Sequence, residues 1–334
     1  MKRFLFHSAY TGYCWAHYYY HRDPGFVKKL NELGYEFKLS CEVDDYDDYD
    51  YYLFSESASV GMAGYRLRSR IKQRVKNLFA GPRRNLYAEL KASGKYERMG
   101  IAVFEIPIHM PGNESPKLFS MFPRTFTTND EFVDNKTVYK FCYPQSSVWP
   151  KCESLPFSKK KLLVCILANK YSRDHRELYS NRRKTVEHFS EHCSDDFDLY
   201  GSRWDLLHLP NGNVYKGVWK EHRANAYRNY RFAICYENAF IPGNIDEKIF
   251  DCMRSNCVPI FLGAPNVNKY IDEAAFINRR DFKDDAELER YIVGMTEGEY
   301  EKYREAIRDY LAGSKFERFL STSFAKTIIE GFET

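Results

Sequence analysis

The chain has 334 residues, 44% of them hydrophobic and 29% charged, which excludes a disordered, collagen-like or coiled-coil protein and suffices for two domains. Its 27 Tyr, 25 Phe and 4 Trp form an aromatic surplus that suits cores and also flat-faced ligands such as sugars and bases. The formal net charge is +4, yet residues 66–84 hold eight Lys/Arg and no acid, leaving 42 basic against 46 acidic residues elsewhere.

Strands are expected at 3–6, 35–39, 51–54 and 100–106, and a helix at 25–33 stopped by Gly34. Phe4-Leu5-Phe6 is too short for the apolar core of a signal peptide and no 18-residue apolar run occurs, so the chain reads as cytoplasmic. The acidic run 44–50 contains the Asp48-Tyr49-Asp50 spelling of a metal chelate, but reads as a solvated loop, and no metal is expected. In the basic segment Leu67, Ile71, Val75, Leu78 and Phe79 form one stripe of an amphipathic helix near 66–80. An ordinary solvent face is the leading reading of 66–84, and peripheral contact with an anionic membrane the second; nucleic acid is not expected.

A less periodic link at 145–158 divides a domain at 1–150 from one at 151–334. The second half predicts strands at 161–167, 197–200, 232–236 and 258–262, helices at 180–192, 220–227 and 245–255, and further helices toward the C terminus. This alternation implies a parallel, doubly wound sheet, whose ligands bind beyond the carboxyl ends of the strands. Nine cysteines without a zinc-binding spacing read as reduced and mostly buried.

Asn244 followed by Glu247 fits a capping box, in which Glu247 merely caps. Alternatively, a helix N-terminus with Lys248 forms a phosphate site, because the helix dipole and the cation both favour an anion there.

The segments Tyr230-Arg231-Phe232-Ala233-Ile234-Cys235-Tyr236-Glu237-Asn238, Ile245-Asp246-Glu247-Lys248-Ile249-Phe250-Asp251 and Cys257-Val258-Pro259-Ile260-Phe261-Leu262-Gly263-Ala264-Pro265 resemble the signature of the α-1,3-fucosyltransferases, glycosyltransferase family 10. Phe276-Ile277-Asn278 and Asp281-Phe282 are similar to its tail, and the resemblance covers roughly residues 100–325. It implies a GT-B fold, two Rossmann-like α/β domains facing across a cleft, with the second holding GDP-β-L-fucose as donor. It also implies inverting, metal-independent transfer, without a cofactor, to an oligosaccharide or lipid-linked glycan, with an α-1,3 linkage.

The resemblance implies sugar-nucleotide contacts by Glu237, Asn238, Glu247 and Lys248, and an arginine at Arg182, or alternatively Arg183, that with Lys248 stabilises the departing GDP. It implies a base at Glu105, which its place at a strand end beside apolar groups should hold above the usual carboxylate range. His109 close behind it is a candidate acceptor contact. The donor-loop positions Asn244 and Asp246 depart from the family's aromatic and threonine, and Ala239 replaces its serine. These departures favour either weaker donor binding, another GDP-sugar, or a non-catalytic protein that binds glycan, lipid or nucleic acid on the same scaffold.

Overall fold

A computed structural model of the protein describes residues 1–8, 24–46, 48–62, 85–149, 153 and 155–334. The chain divides into two compact units, one built from 1–148 with 319–334 and the other from 149–318. The basic segment 66–84 and its expected helix lie outside the described residues.

The first unit is built on β1 (Lys2–Ser8), α1 (Pro24–Glu32), β2 (Tyr35–Leu39), β3 (Tyr51–Ser55), α2 (Leu86–Ala92), β4 (Met99–Val103), β5 (Thr125–Thr127) and β6 (Val138–Lys140). Its six strands are all parallel, in the order β2-β1-β3-β4-β5-β6. Phe4, Leu5 and Phe6 are buried on both faces of β1, which is why that run is apolar without alternation. β4 stops at Val103, short of the expected 106, because the next two backbone N–H groups turn to a side chain, that of Glu56. The acidic loop leans on Arg3, whose guanidinium donates to Asp48 and whose backbone N–H donates to Asp50.

The second unit contains β7 (Lys161–Ile166), α3 (Tyr179–His192), β8 (Phe197–Tyr200), α4 (Ala224–Tyr227), β9 (Tyr230–Tyr236), α5 (Glu247–Arg254), β10 (Val258–Leu262), β11 (Ile277–Asn278), α6 (Asp285–Gly294) and α7 (Glu297–Ala312). The parallel strands run β11-β10-β9-β7-β8. The helix expected over 220–227 shrinks to the single turn of α4, preceded by a loop in which His222 Nδ1 accepts from the Ala224 backbone. After β8, Gly201 has φ +136°, and a Cβ there would sit 2.3 Å from the Leu167 carbonyl oxygen, so only glycine lets the β7 and β8 loops pass this closely.

In both sheets the first strand lies between the second and third, so the order of winding reverses there. Such a switch point opens a crevice at the strands' carboxyl ends. It falls between β1 and β3 in the first unit and between β7 and β9 in the second.

The last helix, α8 (Ser321–Glu333), belongs to the first unit, which corrects the expected 151–334 domain at its end. The cause is its apolar face: Phe324, Ile328 and Phe332 recur every four residues and are buried in the first unit's core. Phe332 packs edge-on to Phe4 at 5.0 Å and stacks on Phe126 at 5.9 Å. Glu333 closes the contact by accepting from Lys2 at 2.7 Å and from Tyr35. Much of the aromatic surplus goes into this core, with Phe26, Phe37, Phe104 and Phe141 alongside. No helix among the described residues is long and apolar enough to cross a membrane. Phe332→Ala is expected to cost about 3–5 kcal/mol, read as a lower urea midpoint for the first unit; an unchanged midpoint would show that α8 is dispensable to that core.

Candidate functional site

The second unit's candidate residues gather at its switch point. Arg182, on the first turn of α3, is only 2% exposed and donates to the carbonyls of Ala168 (2.9 Å), Tyr236 (3.1 Å) and Glu237 (3.3 Å) and to Asn238 Oδ1 (3.2 Å). It thereby ties the loop after β7 to the loop after β9, and its buried Nε–H has no hydrogen-bond partner. Arg183 points elsewhere, donating to the Lys170 carbonyl at 2.6 Å and to Ser180 Oγ at 3.1 Å. Asn238, beyond accepting from Arg182, takes the Leu178 N–H on its carbonyl.

Glu237 follows β9 and is fully buried, while Asp246 and Lys248 open α5. The Lys248 ammonium, on a residue 5% exposed, donates to Glu237 Oε2 at 2.9 Å and to Asp246, and the Asp246 N–H donates to Glu237 Oε1 at 2.9 Å. Burial opposes the Lys248 charge, but Asp246 and Glu237 outweigh it and the ammonium is held above its ordinary range. Burial, and then the Asp246 charge, push Glu237 well above the usual carboxylate range. Burial also works against Asp246, yet Lys248 and a hydrogen bond from Glu237 bring it down to about 2. The trio is therefore a single Lys248 ammonium held between two buried carboxyl groups. Gly263 makes room for it, since a Cβ there would lie 2.5 Å from Glu237 Cγ.

The expected capping box is corrected. α5 starts two residues later than Ile245, and its cap is Asp246, which accepts from the Lys248 N–H at 3.2 Å; Asn244 is buried before the helix. Glu247 is drawn off by Arg223, which donates to it at 2.9 Å and to Asp251 at 3.4 Å. Sequence reasoning missed Arg223, whose partners lie 24 and 28 residues away. It also missed Arg280, which donates to the carbonyls of Gly263 and Ala264 and covers the Phe240 ring at 4.5 Å. The only signal for Arg280 was its place inside the Phe276–Phe282 tail.

In the first unit, Glu105 lies two residues past β4 with its side chain 51% exposed, and its Oε2 meets His109 Nδ1 at 2.8 Å. The buried carboxyl expected of Glu105 belongs instead to Glu56, which follows β3 at the switch point and was not singled out from the sequence. Glu56 is 6% exposed and accepts from the N–H groups of Phe104 (3.1 Å) and Glu105 (3.2 Å) and from Asn113 Nδ2. Its backbone, at φ 62° and ψ 152°, occupies a region almost reserved for glycine, a strain of order 1–3 kcal/mol. Asn113 completes the frame, donating to the Glu105 carbonyl at 2.7 Å and accepting from the Ser57 N–H at 2.8 Å. Burial and the neighbouring Glu105 push the Glu56 carboxyl from its ordinary 4.5 up to about 8.

Because the folded state keeps the Glu56 proton, its contribution to stability is fully present below pH 4.5 and is lost as pH rises through about 8. With Glu105 and His109 as the facing titratable groups, Glu56→Gln should flatten the fall in melting temperature across that window; an unaltered pH slope would exclude Glu56 as its source. Lys248→Met leaves two buried carboxyls without their cation and should destabilise the second unit by about 3–5 kcal/mol. The loss should be larger at pH 8 than at pH 5, where the carboxyls can take up protons, and equal losses at both would contradict the trio's assignment.

Residues 157–323 match the family described as "Glycosyltransferase family 10 (fucosyltransferase) C-term". The α-(1,3)-fucosyltransferase FucT of Helicobacter pylori is 40% identical over 63 residues, 19% of this chain and 13% of that protein's length. An α1,3-fucosyltransferase solved with GDP and with GDP-fucose superposes with TM-scores of 0.56 and 0.54 at 14% identity, covering 100% of this chain and 90% of that one. The DNA-modifying β-glucosyltransferase superposes at 0.56 with 12% identity, covering 99% of this chain and 100% of that one. With its two parallel-sheet α/β units and a family match spanning half its length, the chain belongs to glycosyltransferase family 10 and has the GT-B fold.

Proposed function

We propose that the protein is an inverting glycosyltransferase that moves L-fucose from GDP-β-L-fucose to a glycan hydroxyl, forming an α-1,3 linkage without a metal. The observation that carries this reading is the buried Lys248 at the N-terminus of α5, beside the second unit's switch point. The bound GDP-fucose in the structural relative supports the choice of donor.

In this reading the departing diphosphate lies against the α5 N-terminus and Lys248, which stabilise its growing charge. Arg182, enclosed by protein acceptors, holds the strand-end loops in place and acts on that charge through its field. Arg183 is the more accessible of the two arginines and serves as a donor contact. Glu237, Asn238, Asn244 and Glu247 shape the sugar and ribose side, and Asp246 exchanges its hold on Lys248 for a donor hydroxyl. Glu105 takes the proton from the acceptor hydroxyl as that oxygen attacks the anomeric carbon and GDP leaves. His109 orients Glu105 and borders the acceptor, an oligosaccharide or lipid-linked glycan.

One observation favours a variant of this reading: the Asp246–Lys248 pair already neutralises the cation, which lowers donor affinity or admits another GDP-sugar. A thermal-shift and transfer screen with GDP-fucose, GDP-mannose and UDP-sugars, with and without EDTA, separates them. GDP-fucose alone should stabilise the protein and support transfer in EDTA; stabilisation by GDP-mannose instead would replace the donor, and loss of transfer in EDTA that Mg²⁺ or Mn²⁺ restores would refute metal independence. Glu105→Gln should lower kcat by 10²–10⁴-fold with donor binding intact, and wild-type transfer in that variant would remove Glu105 as base.

A further inference from the structure

We propose that the second unit carries a divalent-metal site of the zinc type between α3 and α6, formed by His188, His192 and Glu289 and separate from the donor site. One ligand atom from each of the three lies within 4.8 Å of the others, which among the described residues occurs only here. His188 and His192 stand one turn apart on α3, with their rings stacked at 4.4 Å and 19°. Glu289 reaches across from α6, its Oε2 2.7 Å from His188 Nε2.

The surrounding contacts prepare these groups as ligands. His192 Nδ1 lies 3.0 Å from the His188 backbone carbonyl, which can only accept, so the proton sits on Nδ1 and the lone pair on Nε2 is directed outward. The ring of His188 meets Phe189 edge-on at 5.4 Å, limiting its rotation. A metal would take the place of the proton between His188 and Glu289, that proton passing to Nδ1 of the same ring so that His188 stays a neutral imidazole with its Nε2 lone pair on the ion. The two atoms then part from 2.7 Å to about 3.3 Å, the spacing of neighbouring ligands in a tetrahedral zinc site.

Two imidazoles and a carboxylate suit Zn²⁺, with a water in the fourth position. The pair sits toward the C-terminal end of α3, away from the strand ends that Arg182 ties together, so its role is structural. Together with the Thr185–Asp285 hydrogen bond (2.9 Å) and the Arg279–Asp285 ion pair (3.0 Å), the metal would fasten the helix carrying Arg182 to α6.

Titration of the untagged, metal-stripped protein with Zn²⁺ by calorimetry should give one equivalent bound and a higher melting temperature. Co²⁺ should give the visible bands of a tetrahedral site. His192→Ala, at an exposed position, should leave the apo melting temperature unchanged and weaken Zn²⁺ at least tenfold, and Glu289→Gln should do the same. Absence of binding in the wild type, or full-affinity binding in His192→Ala, would overturn the proposal. Binding that disappears only in Cys41→Ser, which removes an exposed thiol, would overturn it equally.

Discussion

The second unit turns on the guanidinium of Arg182. Where a parallel sheet reverses its winding, the two central strands send their loops in opposite directions, and the carbonyls at their ends lose the neighbours that would have paired them. Arg182 answers this with donors to Ala168, Tyr236, Glu237 and Asn238. A buried cation is tolerated because those acceptors replace its water. In return the loops that bear Asn238 and Glu237 are held to α3, and the position of α5 beside them follows.

The same logic recurs in the first unit with the hydrogen-bond roles reversed. There Glu56 occupies the end of β3 and collects the N–H groups that β4 leaves unpaired, at the cost of a strained backbone. A side chain thus replaces sheet hydrogen bonds at each switch point, a cation gathering carbonyls in one unit and a carboxyl gathering N–H groups in the other. Both arrangements pair backbone groups that the strands present at their carboxyl ends.

Around this frame the charges are balanced locally. Lys248 is met by Asp246 and Glu237, Arg223 by Glu247 and Asp251, and Arg279 by Asp285. Each of these cations near the strand ends therefore has a carboxyl partner within the protein. Asp246 is central to this balance, since it both caps α5 and holds Lys248.

Most of the secondary structure was legible, because a strand buried on both faces must be an unbroken apolar run and an amphipathic helix must repeat every three or four residues. Residues 161–166 and 179–192 follow those rules, and the Glu237, Asp246 and Lys248 pieces were found through the family signature. The short strands β5 and β6 were missed, since three-residue strands carry too little periodicity to detect, and the Asn244 cap was misplaced because two polar residues near a helix start compete for one role. What the sequence by itself determined is the alternation of elements, hence the two parallel sheets, and the family. Only the tertiary structure decided that α8 returns to the first unit, that Glu56 rather than Glu105 is the buried carboxyl, and that Arg223 answers Glu247. Each of those depends on contacts between residues far apart in the chain, and local patterns of burial and polarity do not encode which distant partner a side chain will meet.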